Sequence, residues 1–308
     1  MTRTGSLAAL PALVAATAFA GAPPTPSVTG TAGEPALAEV MRKAGEYVVE
    51  YGRAFALVVA EEEYVQRLRV QEAGPIHQTR VLRSDVVFVR SPGTAFPWWL
   101  LRDVYKSDGV AVRDRQQRLE ALLVSGSADS VRRARAIADE GARFNLGVGS
   151  RNYNVPTLVL TFLHPEVQPR FAFERRGTVT VGGRPFAEIA YRERSTPTLI
   201  HPEQGPADIP ASGLVLIDSH DGTVARTTLS LDLKGDGVAT RSSLETTYRA
   251  MPSLGLWVPV EMKERWETRL EGSRGRSGPV EMVDGIATYS GFRRAEVDTQ
   301  QEIRTPEP

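Results

Sequence analysis

The second half of the chain carries a repeated alternation of apolar and polar residues. In residues 228–233, three leucines at odd-numbered positions alternate with threonine, serine and aspartate. A β-strand points successive side chains to opposite faces, so this period of two places the leucines on one face. The pattern predicts a large antiparallel sheet with one apolar and one solvated face. Its candidate strands are 170–176, 184–194, 213–218, 223–233, 238–249, 256–270 and 280–294, separated by turn-forming residues.

The first half of the chain mixes helical and strand patterns. Apolar residues recur every three or four positions in residues 34–55, which predicts an amphipathic helix. Strands are predicted for residues 54–70, 77–90 and 97–106, and helical spacing returns between residues 114 and 163, where Pro156 opens a short helix over 157–163. Helices and a large antiparallel sheet together predict an α+β fold. In this fold, a half-barrel, helices pack on the concave face of a curved sheet.

The chain begins with the features of a secretory signal. Arg3 precedes an apolar run that ends in the small-residue cleavage motif Ala18–Phe19–Ala20. We therefore expect cleavage after Ala20 and a periplasmic or secreted mature protein. The apolar run is shorter than the roughly 20 residues that span a bilayer, so no transmembrane segment is expected in the mature chain. The predicted organisation is a signal peptide (1–20), a flexible leader (21–33), one α+β domain (34–295) with a helical insert (114–163), and a flexible tail (296–308).

Composition excludes several functional classes. The 308 residues include 37 basic and 37 acidic side chains, so the chain lacks the excess of positive charge that favours nucleic-acid binding. It has no cysteine, which excludes thiolate catalysis, cysteine-ligated zinc, iron–sulfur clusters and disulfides. The fold must therefore be stabilised by its apolar core.

Motifs for catalysis or metal binding are not found in the sequence. The four histidines are isolated from one another, no nucleophile elbow of the G-x-S-x-G type occurs, and Glu264 alternates with Glu261 and Glu267 along its strand. We expect no catalytic residue, no metal ligand and no cofactor. A hydrolase with an Asp/Glu/His site assembled by the fold stays open as an alternative; it requires a pocket in which His164 or His201 lies within hydrogen-bond reach of a carboxylate.

The alternation of apolar and polar residues along the strands instead indicates candidate ligand-binding residues. If the sheet is a half-barrel, the apolar sets of two strands share its concave side, and two arginines near the helix-to-sheet junction could bind an anionic head group through their guanidinium forks. An ordinary packed core explains the apolar set as well, and capping of loop carbonyls explains the arginines. The candidates are Leu229, Leu231, Leu233, Val258, Val260, Met262, Trp266, Arg143 and Arg151.

Three hairpin segments carry a resemblance to a known superfamily. Residues 286–294 (IATYSGFRR), 257–262 (WVPVEM) and 222–227 (GTVART) resemble the bacterial lipoprotein-carrier type of half-barrel, which includes outer-membrane lipoprotein-sorting proteins and envelope-stress regulators. The resemblance covers mainly residues 170–294. It implies a curved antiparallel sheet around helices, an apolar cavity for acyl chains and no catalysis. The sequence is also similar to a group of exported bacterial proteins of unassigned function.

Two main hypotheses follow for the function. The first is a noncatalytic periplasmic or secreted binder of an apolar or lipid-like ligand, which requires an apolar cavity. The alternative is a cell-envelope module that holds a protein partner, which requires an exposed surface patch.

Overall fold

The structure is a computed structural model. It describes residues 35–55, 58–72, 74–90, 98–112, 136–137, 139–147, 153–201, 208–235, 238–271 and 277–294. The predicted signal peptide, leader and tail, and most of the predicted helical insert, lie outside the described residues.

The structure gives the bounds of two α-helices, a short 3-10 helix (Gln168–Arg170) and eleven strands, and residues 136–137 and 139–142 are also helical. Helix α1 spans Leu37–Ala54, and α2 spans Leu158–Phe162. The strands are β1 (Val58–Arg69), β2 (Ile76–Arg90), β3 (Trp98–Ser107), β4 (Val110–Ala111), β5 (Phe171–Val181), β6 (Arg184–Glu193), β7 (Ser212–Ile217), β8 (Val224–Gly235), β9 (Val238–Met251), β10 (Leu256–Glu271) and β11 (Ser277–Arg294).

All of these strands join one antiparallel sheet in the order β4-β3-β2-β1-β11-β10-β9-β8-β7-β6-β5. Two meanders, β1–β4 and β5–β11, are joined where the first strand pairs with the last, for example at Tyr64 opposite Ala287. Strands β4 and β5 lie at opposite edges of the sheet, and ten inter-strand steps of roughly 4.8 Å make its width about 48 Å. Between these two strands in the chain, the structure describes residues 136–137, 139–147 and 153–170, which we call the crossing segment.

Helix α1 packs on one face of the sheet, which we call the covered face; the opposite one is the outer face. The buried side chains of α1 follow the three- and four-residue spacing of an amphipathic helix and include Val40, Ala44 and Val48. Gly52 allows close approach to the sheet, because a Cβ there would lie 2.8 Å from the ring of Trp98. The main apolar core therefore lies between α1 and the covered face of the sheet.

The fold class predicted from the sequence is confirmed. The sheet is open, curved and antiparallel, with helices on one face, as in an α+β half-barrel. The predicted strand 170–176 is longer in the structure and continues to Val181, because a β-bulge between Arg175 and Gly177 accommodates the glycine without ending the strand. The two-residue strand β4, which follows the turn at Asp108–Gly109, was not predicted.

Candidate functional site

The predicted apolar ligand-binding residues lie on the floor of the covered face. Leu229, Leu231, Val258 and Met262 are buried in the same core cluster as α1 and α2. Met262 is 0% exposed, and its Sδ lies 4.0 Å from the Tyr289 hydroxyl. All four residues are at most 1% exposed.

The remaining predicted residues take different positions. Leu233 and Val260 are partly buried at the margin of the main core; a β-bulge between Pro259 and Glu261 interrupts the alternation at Val260. Trp266 belongs to a separate small cluster with Leu146 and Val283. Of the two predicted arginines, Arg143 is exposed and Arg151 lies outside the described residues. Their role in ligand binding stays a prediction.

A buried ion pair occupies the covered face near its β1–β3 side. The Arg102 guanidinium donates from Nε and Nη2 to the two carboxylate oxygens of Glu62, at 2.5 and 2.8 Å. The side chains are 9% and 0% exposed respectively. This two-pronged geometry satisfies both groups in a place where an unpaired charge would be costly.

The ion pair also binds the crossing segment. Arg102 Nη2 donates to the carbonyl oxygen of Asn154 at 3.1 Å, and Nη1 lies 3.4 Å from the Asn154 side-chain oxygen. The Asn154 amide nitrogen lies 3.3 Å from Asn145 Oδ1 and 3.4 Å from Glu264 Oε2. One asparagine therefore links two strands of the sheet to the chain that covers them.

A tyrosine extends this network across a strand. Tyr64 on β1 reaches over Gly285 on β11 and donates its phenolic hydrogen to Glu264 on β10. A Cβ at Gly285 would lie 2.7 Å from the Tyr64 hydroxyl, so the glycine makes the crossing possible. The Arg102 guanidinium lies 5.1 Å from the centre of the Tyr64 ring, within cation–π range.

The neighbouring charges decide the protonation of the network. Burial opposes the charge of Arg102, but the adjacent Glu62 carboxylate outweighs it and raises the pKa of Arg102 above its ordinary value. Burial, reinforced by the charge of Glu62, raises the pKa of Tyr289 well above its usual range. Arg102 therefore stays charged and Tyr289 stays neutral, which suits a structural ion pair better than proton transfer.

Further polar contacts hold another part of the crossing segment. Gln66 accepts a hydrogen bond from the Leu146 amide at 2.8 Å, and Arg80 donates to the carbonyl oxygen of Phe144 at 3.0 Å. Farther along, Gln168 donates to the carbonyl oxygens of Met41 in α1 and Leu163, at 2.9 and 2.7 Å. These described contacts of the crossing segment are made by side chains.

Sequence reasoning missed this network. Glu62 is buried between two exposed or half-exposed glutamates, so the run at 61–63 does not by itself indicate which carboxylate faces the core. The alternation of strand faces could have indicated that Glu264 is buried, because it lies on the same face of its strand as Met262 and Trp266. Arg102 had no such signal, since its partner lies 40 positions away in the chain.

The hydrolase alternative concerns the surroundings of the histidines. No three acidic or histidine side chains in this part of the chain are grouped closely enough to hold a metal ion. His164 Nδ1 lies 3.4 Å from the backbone N–H of Glu166, and His201 is exposed. In the described ranges, no helix is both long and apolar enough to cross a membrane.

Fold and site define an α+β half-barrel with an apolar covered face and a polar anchor for the chain that crosses it. No known protein family and no curated protein matches the sequence. Solved structures are similar in fold. A DUF1329 family protein from Desulfovibrio piger shares 11% identity over 82% of this chain and 92% of its own, with a TM-score of 0.34.

Two further solved structures are also similar in fold. An outer membrane lipoprotein-sorting protein domain from Vibrio parahaemolyticus shares 10% identity over 82% of this chain and 92% of its own, with a TM-score of 0.31. A chain of the Pseudomonas aeruginosa MucA/MucB complex shares 11% identity over 82% of this chain and 99% of its own, with a TM-score of 0.20.

Proposed function

We propose that this protein is an exported, noncatalytic binder of an apolar or lipid-like ligand, held between the covered face and the crossing segment. The observation that supports the proposal is the combination of a broad apolar floor with a cover fastened by side-chain contacts. The signal-like N-terminus supports export.

The floor is much wider than the helix that packs on it. Helix α1 has 18 residues, so it is about 27 Å long and roughly 10 Å across. The sheet is about 48 Å wide, and its strands reach 18 residues in β11. Most of the covered face must therefore be protected from water by the crossing segment or by a ligand.

Separating the cover from the floor would expose the buried side chains of α2 and break side-chain hydrogen bonds, while the described strand pairs stay intact. These hydrogen bonds include those of Arg102 with Asn154, Gln66 with Leu146, and Gln168 with Met41. A ligand would enter at the margin of the core, where apolar side chains such as Leu233 and Val260 are only partly buried. The four fully packed floor residues would form the base beneath it.

Ligand binding is tested first on the full-length protein. Native mass spectrometry of protein purified from a membrane-containing bacterial host should show an added lipid mass, and delipidated protein should bind dansyl-undecanoic acid with increased fluorescence. A mass that corresponds to the polypeptide alone, together with no dansyl fluorescence change, would overturn the proposal.

Two leucine-to-aspartate variants locate the site. Leu233→Asp places a carboxylate at the margin of the covered face, whereas Leu214→Asp places the same group on the outer face, where Leu214 is 37% exposed. We expect the first to weaken dansyl-undecanoic acid binding at least about tenfold, because a buried charge opposes an apolar ligand, and the second to bind like the parent. Equal binding by both variants would place the ligand elsewhere.

A further inference from the structure

The outer face carries a polar depression that is separate from the covered face. It has a volume of about 850 Å³ and extends over β5 to β8. Tyr191 of β6 is buried in the main core, so its neighbour Arg192 points to the opposite, outer side. The lining includes Arg176, Arg192, Arg194, Glu174, Asp232 and Ser212.

The charges of this depression are unevenly compensated. Arg176 pairs with Glu174 at 2.9 Å, and Asp232 pairs with Arg241 at 3.1 Å. Both carboxylates of the depression are therefore engaged. Among the described residues, no carboxylate pairs with the side chain of Arg192 or Arg194, which leaves two exposed positive groups in a chain with no net charge.

The geometry of the two arginines matches an extended acidic chain. Arg192 lies in β6 and Arg194 directly follows the last residue of this strand, so their attachment points are separated by about 7 Å. Glutamates at alternate positions of an extended peptide have the same spacing. Guanidinium groups bind carboxylates through paired hydrogen bonds, and the nearby hydroxyls of Ser212 and Ser230 can bond to peptide groups.

We propose that this depression, the arginine groove, binds an extended acidic segment of a partner protein. Its volume falls in the range of roughly 300–1,000 Å³ that is usual for ligand sites. The site is independent of the apolar ligand proposed for the covered face, because Arg192 and Asp232 point away from Tyr191 and Leu231, their neighbours in the core.

The test uses fluorescence anisotropy with a labelled peptide of five Glu-Thr repeats and a matched peptide of five Gln-Thr repeats. We expect the full-length protein to bind the glutamate peptide, and to bind it more weakly as salt rises from 50 to 300 mM, since exposed charges are screened. The variant Arg192→Gln/Arg194→Gln should bind at least about tenfold more weakly. The control Arg249→Gln/Arg293→Gln removes the same charge outside the groove and should bind like the parent.

Other outcomes would overturn the proposal. These are equal binding of the glutamate and glutamine peptides, equal losses in the two double variants, or binding to phosphatidylglycerol vesicles with no binding to the peptide. Dansyl-undecanoic acid binding should be the same in the groove variant as in the parent, so failure of this proposal can be told from failure of the first. An unchanged melting temperature confirms that the groove variant is folded.

Discussion

Replacing Arg102 with methionine should destabilise the protein more than almost any other single change on the sheet. The substitution keeps a long unbranched side chain but removes the guanidinium. Glu62, whose side chain is 0% exposed, is then left as a buried carboxylate without its cation. The crossing segment also loses the hydrogen bond from Arg102 to the Asn154 carbonyl oxygen.

The size of the effect follows from these contacts. Breaking a buried ion pair by removal of one partner costs about 3–5 kcal/mol. For a protein of this size, each kcal/mol corresponds to a shift of roughly 2–4 °C in Tm, so Arg102→Met should lower Tm by about 6–20 °C. Replacing both partners, as in Glu62→Gln/Arg102→Met, removes the uncompensated charge. The double variant should therefore lose about 1–3 kcal/mol less than the sum of the two single variants.

Equilibrium unfolding in urea measures these differences in the parent, the two single variants and the double variant. The midpoint should fall while the slope m stays unchanged, which indicates a change in stability and not in the extent of unfolding. Arg249→Met is the matched control: Arg249 is exposed, and its loss should change the free energy of unfolding by no more than about 0.5 kcal/mol. A loss below about 1 kcal/mol for Arg102→Met, or strictly additive single variants, would refute the reasoning.

Three further changes test other parts of the structure. Gly285→Ala should cost about 1–3 kcal/mol, because its Cβ would lie 2.7 Å from Tyr64, whereas Gly177→Ala, with nothing within 4 Å, should be nearly neutral in the same urea assay. Equal effects would contradict the tyrosine crossing. Leu160→Ala removes a fully buried side chain of α2 and should cost about 2–5 kcal/mol; a loss under about 1 kcal/mol would show that α2 is not part of the core. Burial lowers the pKa of His164 from 6.5 in the folded protein, so below pH 6.5 the unfolded state binds more protons than the folded state. The free energy of unfolding should therefore decrease as the pH is lowered. His164→Gln should reduce the stability difference between pH 7.5 and pH 5, and an unchanged difference would exclude this histidine as the cause.

Much of the fold could be predicted from the local periodicity of apolar residues along the chain. Alternation in residues 228–233 and helical spacing in 34–55 depend on neighbours in the chain, and both predicted elements are present as β8 and α1. The glycine pair at 182–183, with φ values of 59° and 81°, marks the hairpin between β5 and β6. The sequence alone therefore determined ten of the eleven described strands, most of their turns and the α+β class.

The tertiary structure decided which distant residues meet. Tyr64 and Glu264 are 200 positions apart, and their contact requires β1 to pair with β11 in one register, with a glycine between them. A shift of one residue would turn Glu264 to the outer face. Similarly, the charge of the arginine groove depends on the fold, which pairs Glu174 with Arg176 and Asp232 with Arg241. Spacing along the chain encodes the face of a side chain, but only strand order and register determine its partners.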